Sequence, residues 1–175
     1  MSGYRFERLK ILIVDDNLHM RRLVSTILNA FGVKDVFEAH NGEKAWDRLR
    51  EINPDVIILD WMMEGMNGIE LTKLVRTTSS SPNPFVPIIM LSGHTSAERV
   101  REARDSGINE FLAKPVSANT MLTHLTSVIE NPRPFVRTKN YFGPCRRRFI
   151  DPEYSGPERR TVIDNASNQR AAAVG

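Results

Sequence analysis

Through residue 130, short apolar runs alternate with stretches whose apolar positions recur at helical spacing. "LKILIVDD" is an apolar run ending in carboxylates, and "NLHMRRLVSTILNAF" after it has a helix period with Gly32 at a plausible stop. "VFEAH" predicts a second strand, followed by a helix from about Gly42 to Ile52. "PDVIILD" is apolar on consecutive positions, the pattern of a strand covered on both faces. A helix near Gly68–Arg76 and a polar "TTSSSPNP" loop come next. "VPIIMLS" and "TSAERVREARDSG" predict a fourth strand and helix, and "INEFLAKP" and "SANTMLTHLTSVIE" a fifth pair.

Five successive strand–helix units predict an α/β fold: an open, doubly wound parallel sheet with helices on both faces. Such sheets bind ligands beyond the carboxyl ends of their strands. Asp15, Asp16, Asp60, Ser92 and Lys114 all fall at those ends. Three converging carboxylates repel one another, so either one pKa rises or a hard divalent cation neutralises them. Oxygen ligands in an exposed cleft suit Mg²⁺, which keeps several waters. Lys114 and the Ser92 hydroxyl offer partners for phosphoryl oxygens, so the chemistry indicated is phosphoryl transfer onto a carboxylate.

After Glu130 the pattern stops at "NPRPF", and the rest holds five prolines and no convincing periodic element. We therefore divide the chain into residues 1–130 and a tail, 131–175, expected to be largely disordered when alone. Charge follows the same division. The tail carries nine Lys/Arg against four Asp/Glu, a net of +5, and residues 1–130 carry 15 against 17, a net of −2. A basic tail on a slightly acidic body calls for an anionic partner. The one cysteine, Cys145, excludes an intramolecular disulfide and agrees with a reducing compartment. No apolar run is long enough to span a bilayer, and "MSGYRFERLK" lacks the apolar core of a secretory signal, so a cytoplasmic protein is expected.

From about Leu9 to Glu130 the chain resembles CheY-like receiver domains of response regulators, a flavodoxin-like (βα)5 family. "ILIVDDNLHMRRLV", "DVIILDWMMEGMNGIEL", "PIIMLSGH" and "EFLAKPVS" carry the likeness in the family's order. The resemblance implies Asp60 as phospho-acceptor and an Mg²⁺ site formed by Asp15, Asp16, Asp60 and the carbonyl of Met62. It further implies Ser92 and Lys114 as phosphate-responsive groups, Phe111 as a rotating aromatic, and a cis Lys114–Pro115 bond. One departure is Glu64, where the family commonly has proline. With no DNA-binding domain attached, output is expected through protein contact at the fourth and fifth helices and last strand. "DDNLHMRR" is close to chemotaxis regulators that dock on the flagellar motor switch, which makes a motor switch protein a candidate partner. A sensor or chemotaxis histidine kinase is the implied phosphoryl source, and a monomer is expected.

The tail repeats itself at an offset of 13 residues. Tyr141–Asp151 and Tyr154–Asp164 share Y-x-G-P-x-R-R-x-[FV]-I-D, identical at seven of eleven positions. An electrostatic segment needs charge and not phase, so the repeat indicates two similar half-sites. Arginine presents a planar fork matched to phosphate and to the O6/N7 edge of guanine, and it stacks on bases. An aspartate four residues after the second arginine of each copy can accept from guanine N1–H and N2–H₂. The candidate residues are Tyr141, Arg146, Arg147, Arg148 and Asp151, then Tyr154, Arg159, Arg160 and Asp164. Two guanines and two phosphates in a symmetric molecule describe cyclic di-GMP. A receiver followed by such a tail resembles the alphaproteobacterial CheY-like cyclic di-GMP effectors, the Cle group. That resemblance implies ligand-coupled ordering of the tail and a role in motility and surface attachment at the flagellar motor.

Other partners fit less well. Arg133 to Arg137 match the R-x₃-R half of a PilZ signature, whose second half is absent. Nucleic acid is a weaker candidate because a long polyanion does not require an in-phase repeat, and no amphipathic helix adjoins the cluster to favour a membrane surface. The alternative function is a phosphorylation-driven chemotaxis regulator whose tail only tunes protein contacts. No turnover site for a diffusible substrate is evident, so an enzyme is not expected.

Overall fold

The computed structural model describes residues 6–147 and 159–163. A short 3₁₀ turn, Phe6–Arg8, leads into five parallel strands: β1 Lys10–Val14, β2 Asp35–Ala39, β3 Val56–Asp60, β4 Ile88–Ser92 and β5 Glu110–Ala113. Between and after them run α1 Leu18–Ala30, α2 Gly42–Ile52, α3 Gly68–Thr77, α4 Ala97–Ser106 and α5 Ala118–Glu130. Strand order is β2-β1-β3-β4-β5, the doubly wound arrangement expected.

The continuous apolar runs divide by alternation, since successive strand residues face opposite sides. Ile11, Ile13, Ile58, Ile89 and Leu91 pack with Val24 and Leu28 of α1 and Met121 and Leu125 of α5. Leu12, Val14, Ile57, Leu59, Ile88 and Met90 pack with α2, α3 and α4 through Leu49, Leu71, Val75 and Ala103. Each such aliphatic buried contributes about 1.5–3 kcal/mol against exposure. Each helix starts on a polar cap, namely Asn17, Asn41, Asn67, Ser96 or Ser117, whose side chain takes a backbone N–H of the first turn. At α3 this is a full capping box with Glu70. Gly68 lets that first turn close on the sheet, because a Cβ there would lie 2.5 Å from the Asp60 carbonyl oxygen.

Beyond α5 the structure departs from the sequence reading, which found no regular element there. β6 Phe135–Thr138, β7 Tyr141–Pro144 and β8 Thr161–Ile163 form a second sheet, order β7-β6-β8, antiparallel on both sides of β6. This small sheet sits at the base of the larger one, at the ends where α3 and α4 finish and β5 begins. Phe135 and Phe142 meet Phe85 in a cluster with ring centroids 5.1–5.5 Å apart.

Beneath Phe135 lies Arg76, 3% exposed, its guanidinium 5.0 Å from the ring centroid. Nε donates to the Gly107 carbonyl, Nη1 to that of Pro84 and Nη2 to Oδ1 of Asn109. Burial pushes the Arg76 pKa down to about 9, which leaves it cationic at neutral pH. Arg133, next to the start of β6, donates to the carbonyls of Asn109 and Cys145. No helix among the described residues is long and apolar enough to cross a membrane.

Candidate functional site at the strand ends

The carboxyl ends of β1 and β3 place Asp15 and Asp60 side by side, both almost fully buried, with Asp16 exposed at the rim. Carboxylate oxygens of the three lie within 4.8 Å of one another. Lys114, just past β5, enters between the two buried acids. Its Nζ lies 3.0 Å from Asp15 Oδ2 and 2.8 Å from Asp60 Oδ1. The chain is held there by Lys114 N–H donating to the Ser92 carbonyl, and the Lys114–Pro115 bond is cis as expected.

Burial raises the Asp60 pKa above its ordinary value, with Asp15 and Asp16 adding to the effect and Lys114 opposing it. For Lys114, burial works against the charge, but the hydrogen bonds to Asp60 and Asp15 outweigh it and raise the pKa. Asp15 has its other oxygen on the Asn17 N–H at 2.8 Å, and Asp16 accepts from the Glu64 N–H at 3.4 Å. Glu64, the departure from the family pattern, thus touches the acid cluster through its backbone. Its side chain lies in an exposed residue.

Ser92 and Phe111 flank this centre. The buried Ser92 hydroxyl is engaged within its own turn, donating to the His94 carbonyl and accepting from the His94 N–H. Phe111 is half-buried, edge-on to Trp61 with centroids 6.3 Å apart. Met62 follows with an exposed side chain. Sequence reasoning missed Trp61 and Arg99, whose guanidinium lies 5.1 Å from the Trp61 ring. They connect the residue after Asp60 to α4 and border an open groove of about 470 Å³ between α3 and α4. The adjacency of Trp61 to Asp60 was visible in sequence, whereas Arg99 is brought in only by the fold.

Among the tail candidates, Tyr141 and Arg146 come together, the guanidinium 4.6 Å from the ring. Arg146 also pairs with Asp105 of α4 at 2.5 Å. Arg160, from the second copy, reaches Cys145 Sγ of the first at 3.6 Å. Arg147 and Arg159 lie at the inner ends of the described tail segments, beside β7 and β8. Arg148, Asp151, Tyr154 and Asp164 lie outside the described residues. The two copies are used out of phase, since the Y-F-G-P of the first makes β7 and the T-V-I of the second makes β8. Tyr141, expected to cover a base, is here partly buried, its hydroxyl donating to the Pro144 carbonyl at 2.7 Å.

The family profile described as response regulator receiver domain matches residues 11–126. Chemotaxis protein CheY1 of Helicobacter pylori is 37% identical over 123 residues, covering 69% of this chain and 97% of that protein. Chemotaxis protein CheY-3 of Vibrio cholerae is 34% identical over 130 residues, covering 74% and 98%. Among solved structures, the Vibrio cholerae chemotaxis protein CheY4 superposes with a TM-score of 0.63 at 37% identity, covering 69% of this chain and 98% of that one. The receiver domain of the Francisella response regulator 1452 gives 0.62 at 31% identity, covering 68% and 94%. Each likeness spans roughly the part before the tail.

Proposed function

The chain belongs to the response regulator receiver domain family, and from that premise we propose a response regulator with two inputs: phosphorylation at Asp60 and cyclic di-GMP at the tail. The observation that carries the first input is Lys114 Nζ set between Asp15 and Asp60. An Asp60 oxygen attacks the phosphorus of a donor, and the bond from phosphorus to the donor's leaving atom breaks with its electrons going to the donor. The product is an acyl phosphate on Asp60. Lys114 is already placed to follow the charge onto a phosphoryl oxygen, and Ser92 trades its bonds with His94 for another. The hard oxygen donors of Asp15, Asp16 and Asp60 would hold Mg²⁺, with the Met62 carbonyl as the further ligand the family resemblance implies, and the ion would supply positive charge to offset that gathering on the phosphoryl oxygens. A histidine kinase is the natural donor for a protein of this family.

For the second input, support comes from the in-phase repeat and from arginines of both copies, Arg146 and Arg160, being held beside the same segment. Paired arginine forks with aspartates at fixed offset suit two guanines and two phosphates, as in the Cle group. Ligand-dependent ordering of the tail then changes what the receiver presents to a flagellar motor switch protein. The printed names of the relatives place them in chemotaxis, which suits that partner.

A second reading also has an observation in its favour. Phe135 and Phe142 pack β6 and β7 on the base of the receiver, as a tail that only tunes protein contacts would. Calorimetric titration of cyclic di-GMP into the full-length protein separates the two. GTP and a single-stranded RNA serve as controls beside an Arg147→Ala/Arg160→Ala variant. Guanine-specific binding lost in the variant is expected. Equal binding of RNA would make the tail a nucleic-acid site, and no binding at all would leave phosphorylation as the sole input.

A further inference from the structure

We propose that Asp105, at the C-terminal end of α4, is a built-in competitor for the nucleotide, latching the first arginine half-site to the receiver until ligand displaces it. This inference rests on the cyclic di-GMP reading above.

Arg146 has the guanidinium that a phosphate or a guanine edge would take, and in this structure its Nη1 donates to a carboxylate, Asp105 Oδ1 at 2.5 Å. An anionic ligand that takes the Nη1 edge makes the same demand as the carboxylate and is repelled by it, so Asp105 and the ligand compete. The pair is about half exposed on both sides, 43% and 52%, which leaves it open to displacement. From its own helix Asp105 gains little. An acid in the last turn opposes the helix dipole, and Arg104 approaches it only at 3.8 Å.

The rest of the first copy is shaped to keep the latch in register. Gly143 packs against Gly107, the left-handed cap of α4, where a Cβ would lie 3.0 Å from the Gly107 Cα. The same Cβ would lie 2.7 Å from the Tyr141 hydroxyl oxygen. Tyr141 is thereby held with its ring under Arg146. The glycine repeated in phase has a packing role in this copy, and Arg146 is aimed at α4 as a result. Displacing Asp105 frees the end of α4, which the family resemblance assigns to the output face. Through this contact the first half-site is restrained by the receiver.

The test is calorimetric titration of cyclic di-GMP into four full-length proteins: wild type, Asp105→Asn, Arg146→Ala and the double variant. Glu102→Gln, one turn earlier on α4, controls for the change of charge. An exposed ion pair sets the scale, so Asp105→Asn is expected to tighten binding about two- to fivefold, with the gain shrinking at high salt. The gain must vanish in the Arg146→Ala background and be absent in Glu102→Gln. Binding that is unchanged or weaker in Asp105→Asn overturns the latch while leaving the ligand reading intact. So does a gain that survives loss of Arg146. Failure of the wild type to bind removes the ligand reading itself and the latch with it.

Discussion

The two ends of the receiver use charge in opposite ways. At the carboxyl ends of the strands, Asp15, Asp16 and Asp60 crowd like charges around one lysine. At the base, Arg76 is buried with no carboxylate among its hydrogen-bond partners, satisfied instead by two backbone carbonyls and an asparagine and sealed by an aromatic lid. In the first arrangement Lys114 offsets only part of the carboxylate charge, which favours a further cation. The second is complete as it stands. A strained centre suits a switch and a satisfied one suits an anchor, and α3 runs from one to the other, from Gly68 against the Asp60 carbonyl to Arg76.

The largest expected effect is at the strained end. Asp60→Asn should abolish acyl phosphate formation from acetyl phosphate, read as loss of the shifted band on a phosphate-affinity gel. Because burial and the neighbouring acids already disfavour the Asp60 charge, the variant should melt no lower than wild type. A marked fall in Tm would show that the Lys114–Asp60 pair is an anchor too, and the contrast between the two ends would fail.

Next comes the base. Phe135 is fully buried, and truncating a core phenylalanine costs about 3–5 kcal/mol. Phe135→Ala should lower the denaturation midpoint accordingly and expose Arg76, seen as faster amide exchange at the end of α3. Phosphorylation of the folded fraction should persist. Loss of both together would mean that the two ends are one cooperative unit.

Those two sites differ as much in legibility as in chemistry. The acid centre could be read from sequence because each of its residues closes a strand with an unambiguous apolar run, and parallel strands bring their ends together whatever the loops do. "LKILIVDD", "PDVIILD" and "EFLAKP" thus placed Asp15, Asp60 and Lys114 before any coordinates. The base could not be read so. β6 and β7 are four residues each, too short for a period, and β8 joins from the other copy of the repeat, with Phe135 opposite Ile163. Phe85, Phe135 and Phe142 stand apart in polar, proline-rich segments of the sequence, and only the turn of the chain assembles them. Asp105 and Arg99 were equally silent, since each acquires meaning from a partner 41 or 38 residues away, at Arg146 and Trp61.

Divalent cation sharpens the comparison at smaller scale. Mg²⁺ at a hundredfold excess over its Kd should stabilise wild type by about 2.7 kcal/mol and leave Asp60→Asn much less affected. The metal requires ionised carboxylates, and the Asp60 pKa is raised, so protons compete with it above the ordinary carboxylate range. The Mg²⁺-induced rise in Tm should therefore fade on acidification sooner than an unperturbed aspartate predicts. A rise equal in Asp60→Asn would place the cation elsewhere.

The smallest effect lies at Glu110, the first residue of β5. Burial by itself would raise this carboxyl, but the His124 hydrogen bond, the Arg133 charge and the Ser127 hydroxyl outweigh it and hold the pKa below the usual value. His124 Nδ1 lies 3.1 Å from Oε2 and Ser127 Oγ 3.2 Å from Oε1. A folded pKa below the unfolded one means that the ionised form stabilises the fold. That contribution is present in full above the unfolded value of about 4.5 and is lost as pH falls through the folded one. Glu110→Gln should cost about 1 kcal/mol at neutral pH, and its midpoint should converge on that of wild type as the solution is acidified below the carboxylate range. Arg133 belongs to the tail, so the same titration in an Arg133→Ala background reports whether the tail is seated: the pH-dependent part should shrink if it is. An Arg133 variant with an unchanged Glu110 profile would mean that Arg133 does not act on Glu110, leaving the aromatic cluster and the Arg146–Asp105 pair to seat the tail at the base.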